Sequence, residues 1–411
     1  MRRSMRCARL LGALCCVVLL SAARPAPAQE QAPRQPFGPD WAMFAGYDVF
    51  VKKGCGQCHS IRGVGGKVGP DLARVPVEAG FYDLGAALWN HLPRMGQRMR
   101  QEGRERPTLT AADVANLLAF LFTAQYADES GDVAAGERLF TEKGCVQCHG
   151  PGGQGGNGGP ALTTLRRANS PVLVATAMWN HAPRMAEAMQ ARGIPRPTFK
   201  NKELVDLIAY LVQSAPRPEA SVTVQVVPGS PDRGEAIFAQ RQCVACHRVG
   251  GKGGTAGPAL GRAHHVSLTE FAGRMWNHGP AMWVKMKERG IAVPQLSGQD
   301  TADIVAYLYT AHYFDRAAGS TTRGRQLVQS KGCLACHSVR GKGGTVSADF
   351  ATSRVTGSAA SVIAAMWNHS RSMEEKALKQ NVKLPVLTGA ELADLTRYLG
   401  SLAARPTPKP K

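Results

Sequence analysis

Eight cysteines stand in four matching frames: Cys55-Gly56-Gln57-Cys58-His59, Cys145-Val146-Gln147-Cys148-His149, Cys243-Val244-Ala245-Cys246-His247 and Cys333-Leu334-Ala335-Cys336-His337. Two thiols three positions apart can each add to a vinyl group of a porphyrin. The adjacent histidine is then held beneath the iron, where its imidazole supplies one axial bond. Two other chemistries use the same cysteine pair. A structural zinc wants four nitrogen or sulfur ligands, and each frame offers a tight group of three. A thiol-disulfide couple lacks the βαβ pattern that normally carries it. Four covalently bound haem c groups, one per frame, are the expectation, with His59, His149, His247 and His337 as iron ligands.

Eleven residues after each histidine a second mark follows a glycine-rich loop: Gly69-Pro70-Asp71-Leu72, Gly159-Pro160-Ala161-Leu162 and Gly257-Pro258-Ala259-Leu260. A stiff proline here would let a carbonyl accept a hydrogen bond from the histidine and fix the ring's orientation. The fourth copy departs, with Ser347-Ala348-Asp349-Phe350.

A third block ends, at its methionine, 35 or 36 residues after each histidine: Trp89-Asn90-His91-Leu92-Pro93-Arg94-Met95, Trp179-Asn180-His181-Ala182-Pro183-Arg184-Met185, Trp276-Asn277-His278-Gly279-Pro280-Ala281-Met282 and Trp367-Asn368-His369-Ser370-Arg371-Ser372-Met373. Three sets compete there for the second axial position. They are the histidines His91, His181, His278 and His369; the methionines Met95, Met185, Met282 and Met373; and the later Met99, Met189 and Met286, which Ala377 replaces in the fourth copy. Pro93, Pro183 and Pro280 suggest a helix break that would present the first methionine set.

Elements of fixed period must position these groups. The first cysteines are 90, 98 and 90 residues apart. Nine residues before them stand Gly46, Gly136, Gly234 and Gly324, and five before stand Phe50, Phe140, Phe238 and Val328, on stretches of helical spacing. A second helical pattern closes each repeat, over 113–122, 203–212, 303–309 and 391–399, with an acid near its start and a ring before leucine (Phe120, Tyr210, Tyr307, Tyr398). A small residue in one helix facing a ring in the other is what a close crossing requires. The expected organisation is a leader over 1–28, repeats over 38–128, 129–215, 232–317 and 318–404, a proline-rich linker over 216–231, and a disordered tail over 405–411. The longer middle spacing suggests two compact pairs, first with second and third with fourth, joined by that linker.

The chain has 411 residues and 44% hydrophobic content, which excludes a disordered polymer. Its start carries arginines, an 11-residue apolar run from Leu10 to Leu20 and a small-residue cleavage site at Ala26-Pro27-Ala28. The run is short of the ~20 residues that a membrane-spanning helix needs, so a cleaved secretory signal and a periplasmic or extracellular protein with no membrane span are expected, with an uncleaved anchor as the alternative reading of the start. Of the eleven cysteines, Cys7, Cys15 and Cys16 leave with the leader, and no cysteine remains outside the four frames. The formal charge is +20, and Arg2, Arg3, Arg6, Arg9 and Arg24 belong to the leader, so the mature chain stays strongly basic. A basic surface suits nucleic acid, anionic lipid or an acidic protein partner, and the sign alone does not choose among them, although an exported protein has little reason to meet nucleic acid. His264, His265 and His312 fall outside the repeat pattern and are expected at the surface.

The opening helix with glycine and aromatic, the Cys-x-x-Cys-His frame, the Gly-Pro-x-Leu loop and the closing Tyr-Leu helix together resemble the class I cytochrome c family, four times over nearly the whole mature chain. The resemblance implies an all-α fold of four tandem small helical domains, each wrapped round one covalently bound haem, with a methionine reaching the iron from the far side. It favours Met95, Met185, Met282 and Met373, because an asparagine five positions before the ligand is similar to the short ligand loops of bacterial members. Methionine opposite histidine raises the reduction potential relative to two imidazoles. The implied function is passage of single electrons between redox partners through low-spin haems, without catalysis. Lys52, Lys53, Lys67, Lys143, Lys252, Lys331 and Lys342 would favour docking on an acidic redox protein or membrane respiratory complex. Two other readings remain open: a peroxidase-like enzyme with one open iron, for which the divergent fourth repeat is the candidate, and a dedicated electron-transfer subunit of a dehydrogenase or respiratory complex.

Overall fold

The computed structural model describes residues 42–402 except 75–79, 127, 129, 151–155, 157, 163–170, 215–228, 261–266, 314–318 and 354–357. The leader, most of the linker, the tail, His264, His265 and the His312 side chain lie outside the described residues. The all-α expectation holds. Among the described residues, strand is confined to three two-residue hairpins and a single bridge between Gly156 and Gly159.

Each repeat has the same plan. An opening helix (α1 Ala42–Lys52, α4 Val133–Glu142, α8 Pro231–Gln240, α11 Thr321–Ser330) runs into the cysteine turn, which in the second repeat is a short helix, α5 Val146–His149. A 21-residue helix follows (α2 Phe81–Gln101, α6 Pro171–Ala191, α9 Leu268–Glu288, α12 Ala359–Lys379). A closing helix ends it (α3 Ala111–Ala124, α7 Glu203–Ser214, α10 Gly298–Tyr313, α13 Gly389–Leu402).

Opening and closing helices cross as the glycine and ring spacing foresaw. A β-carbon on Gly136 would lie 2.0 Å from the Asp206 carbonyl oxygen and 2.8 Å from Tyr210 Cβ, and Gly46, Gly234 and Gly324 sit as tightly against Asn116, Asp303 and Asp394. Phe140 meets Tyr210 with ring centres 5.6 Å apart, and Phe238 meets Tyr307 at 5.7 Å. Gly136→Ala should therefore force the two helices apart and cost about 1–3 kcal/mol, the usual range for overpacking. A urea midpoint unchanged from the parent protein would show that the crossing has slack.

The acid at the start of each closing helix has a specific partner. Asp113, Glu203 and Glu391 pair with Lys53, Lys143 and Lys331 at 3.3, 3.0 and 2.8 Å, and Asp300 pairs with Arg241 at 3.3 Å. These lysines also donate to the carbonyls of Thr108, Thr198 and Val386. Each basic residue, two positions before the first cysteine, thus ties the cysteine turn to the closing helix.

The repeats associate in an order that differs from the expected one. Trp89 Nε1 donates to the Pro385 carbonyl, and Asn90 exchanges two hydrogen bonds with the Leu387 backbone. In return, Trp367 donates to Pro107 O and Asn368 exchanges two bonds with Leu109. The same reciprocal clasp joins Trp179-Asn180 to Pro294 and Leu296, and Trp276-Asn277 to Pro197 and Phe199. The first repeat is therefore paired with the fourth and the second with the third. Chain spacing misleads here because the binding groups are side chain to backbone, and nothing in them requires neighbours in sequence.

The expected helix break is also absent. Pro93, Pro183 and Pro280 lie inside uninterrupted helices. An internal proline removes one backbone bond and costs about 3 kcal/mol or more in a free helix. Here the turn before each proline is pinned by a buried tryptophan and its clasp, which offsets that loss and keeps the helix continuous.

Candidate functional site

In the first, third and fourth repeats the cysteine frame is a single 3-10 turn entered through a left-handed residue, Gly54, Gln242 or Gly332. All eight thiols are half-buried and none is in a disulfide. Burial raises the thiols of Cys55, Cys145 and Cys333, and pushes Cys243 up to about 11. Among the described residues no three His, Cys, Asp or Glu side chains converge as a metal-holding group.

Each frame histidine is oriented the same way. Nδ1 donates to Pro70 O at 3.0 Å from His59, and to Pro160 O, Pro258 O and Ala348 O at 2.9 Å from His149, His247 and His337. Because a carbonyl only accepts, this contact fixes the tautomer and leaves the lone pair on Nε2, the nitrogen suited to an iron bond. The loop lies flat against the ring: a β-carbon on Gly69 would stand 2.4 Å from His59 Cε1, and Gly159 and Gly257 are nearly as close to theirs. The fourth repeat keeps the same bond without proline. There Ser347 N donates to Cys336 O, and Phe350 stacks on His337 with ring centres 4.4 Å apart.

A carboxylate braces two of the loops. Asp71 accepts from the amides of Arg62, Gly63 and Ala73, and Asp349 from those of Arg340, Gly341 and Ala351 and from Ser338 Oγ. Arg62 and Arg340 have positive φ at their hairpin turns, whereas the third repeat uses Gly250 and Gly251 there and has Ala259 instead of the acid. The Gly341 amide leads the contacts that hold Asp349 down to about 2. A lowered carboxylate stabilises the fold above its unfolded value, near 3.8, and loses that contribution as pH falls through the folded one. Exchange protection of the Gly341 amide should accordingly decline between about pH 4 and pH 2. In Asp349→Ala the protection should be low at every pH in this window; equal protection in parent and variant would remove the carboxylate's assigned part.

The third block divides its residues between two tasks. Trp and Asn form the pair clasp, and the histidine and methionine that follow are placed separately. His91, His181, His278 and His369 are exposed, and His181 and His369 use Nδ1 to bond the carbonyl four residues back. Met95, Met185, Met282 and Met373 are half-buried, as are Met99, Met189 and Met286. Met95 and Met373 pack on the same apolar cluster as Cys55 and Cys333, and Met282 on the one with Cys243. The helix ends approach the second cysteine: Arg192 Nη1 is 3.2 Å from Cys148 Sγ, and Gln380 Oε1 accepts from Cys336 Sγ at 3.2 Å. Paired thiols, an oriented imidazole and a thioether-bearing helix in each repeat are a donor set that fits a covalently attached haem.

Sequence reasoning missed the receptor of the clasp. Pro107, Pro197, Pro294 and Pro385 recur 47 or 48 residues after the frame histidines, each followed two positions on by Leu109, Phe199, Leu296 or Leu387, and that period was the available signal. Of the lysines expected to dock a partner, Lys53, Lys143 and Lys331 are committed to internal pairs, and Lys52 is 2.6 Å from Asp48; Lys67, Lys252 and Lys342 are exposed.

A family model described as Cytochrome c matches the chain four times, over residues 44–125, 133–215, 231–312 and 321–403. The chain is also similar to the "Cytochrome bc1 complex cytochrome c subunit" of Mycobacterium leprae (strain TN), 31% identical over 199 residues. That match covers 44% of this chain and 63% of the relative's length. No solved structure matches.

Proposed function

We propose that this chain, which belongs to the cytochrome c family, is an exported carrier of single electrons holding four haem c groups, one in each repeat. Cys55 with Cys58, Cys145 with Cys148, Cys243 with Cys246 and Cys333 with Cys336 form the thioether links. His59, His149, His247 and His337 would offer Nε2 to the iron, and Met95, Met185, Met282 and Met373 would supply thioether ligands. The observation that carries this reading is the fourfold bond from histidine Nδ1 to a loop carbonyl, which sets each imidazole for ligation. When bound, haem supplies the one-electron couple; the chain's residues set its ligation and bury it.

The same bond in the fourth repeat argues against a distinct, enzyme-like site there, despite the missing proline. The relative's name supports handing electrons to or from a respiratory complex, and the exposed Lys67, Lys252 and Lys342 on a basic chain suit an acidic face on that partner. Near-infrared absorption with electron paramagnetic resonance tests the assignment. The oxidised protein should show a sulfur-to-iron band for every haem and only low-spin ferric signals. A stoichiometric high-spin signal would put an open iron, and therefore an enzyme, in its place.

A further inference from the structure

The nested pairing gives the four attachment sites a spatial order that the chain order hides. Phe199 belongs to the cluster around Cys145 and also meets Trp276 of the third repeat, with ring centres 5.9 Å apart. From the third repeat, Tyr309 packs both on the cluster containing Cys243 and on the one containing Cys55. It stacks on Tyr126 of the first repeat at 4.1 Å, and beside it Tyr313 meets Phe122 at 4.8 Å and Phe81 at 5.8 Å. Leu268 N donates to Tyr126 O, and Thr269 bonds Asp128, across the same seam. Cys55 and Cys333 both pack against one apolar cluster that the first and fourth repeats share.

We infer that electrons cross the molecule in the order second, third, first, fourth repeat, with the Tyr126–Tyr309 stack as the link between the two clasped pairs, so that the second and fourth repeats are the ends that meet outside partners. This rests on the proposed haem attachment. The step is one-electron exchange: one iron is oxidised as its neighbour is reduced, and no further reactant is consumed. Tunnelling is favoured through continuous packed matter, and this is the order in which packed side chains join the sites. Tyr126 and Tyr309 act by positioning and bridging; neither needs to change its own oxidation state.

The test marks one haem at a time. Cys55→Ala, Cys243→Ala or Cys333→Ala leaves a single thioether and an unsaturated vinyl group, which red-shifts that haem's visible band. A ruthenium photosensitiser attached at Gln190→Cys, exposed on α6 of the second repeat, injects one electron. The marked band should respond first when it belongs to the third repeat, next for the first repeat and last for the fourth. Tyr309→Leu, and separately Tyr126→Leu, should slow arrival at the first and fourth repeats severalfold, with arrival at the third and all equilibrium midpoint potentials unchanged. Arrival at the first repeat before the third, or unchanged arrival in both tyrosine variants, overturns the inference. Absence of covalent haem in the unmarked protein would instead sink the attachment reading itself.

Discussion

Trp276→Ala should open the second repeat from the third and lower the stability of that pair by about 3–5 kcal/mol, the range for truncating a buried tryptophan. Three losses combine. The indole is buried, its Nε1 bond to Pro197 O disappears, and Arg196, which lies 3.8 Å over the Trp276 ring and 5.5 Å from that of Trp283, loses its main platform. The first and fourth repeats solve the same problem with charge: Arg106 pairs with Glu374 at 3.3 Å and also bonds Ser370. Trp367→Ala should therefore leave Arg106 better satisfied than Trp276→Ala leaves Arg196. Thermal unfolding and amide exchange at Phe199, whose N–H bonds Asn277 Oδ1 at 2.9 Å, read the result. Combining Trp276→Ala with Trp179→Ala should cost less than the sum of the two, because the reciprocal clasp is one cooperative unit. Additive losses, or a protected Phe199 amide, would contradict the assigned role.

Cys145→Ala with Cys148→Ala should remove one quarter of the haem absorbance and unfold the second repeat locally. The reason lies in how little apolar matter this repeat buries by itself: its cluster has Phe140, Leu207 and Leu211 as buried members, whereas the first and fourth repeats share a large common core. A small domain with glycine-rich loops buries little of its own surface, and a bound haem would supply the missing interior. The matching pair Cys55→Ala with Cys58→Ala should lose the same absorbance yet retain more helix, because Val114, Leu118 and Phe122 remain fully buried among residues of two repeats. Far-ultraviolet dichroism and regional hydrogen exchange separate the cases. Unchanged helicity and melting in the second-repeat variant would mean that the polypeptide packs without its haem.

Local rules were legible where one residue type has one physical use. Gly46, Gly136, Gly234 and Gly324 mark positions where a carbonyl of the crossing helix leaves no space for a β-carbon, and in the first three repeats the aromatic four residues on packs against the ring of the closing helix. The loop proline announced a carbonyl set to receive the histidine, and the fourth repeat shows that what matters is the carbonyl, since Ala348 offers it equally well. Longer-range features were hidden. Asn90 and Leu387 are 297 positions apart, and a tryptophan-asparagine pair beside histidine, proline and methionine reads as part of a ligand loop when its backbone partner is out of sight. The prolines misled for the same reason, since the clasp that keeps those helices intact lies in another repeat. Lys53, Lys143 and Lys331 looked like docking charges because their acidic partners are about sixty residues away at the start of the closing helix.

Alkaline pyridine spectroscopy combined with intact mass on the matured protein measures the central claim directly. Four haems per chain, with a mass exceeding the processed polypeptide by four porphyrin-iron groups, are expected. A colourless protein, or a mass equal to that of the bare chain, would contradict the account.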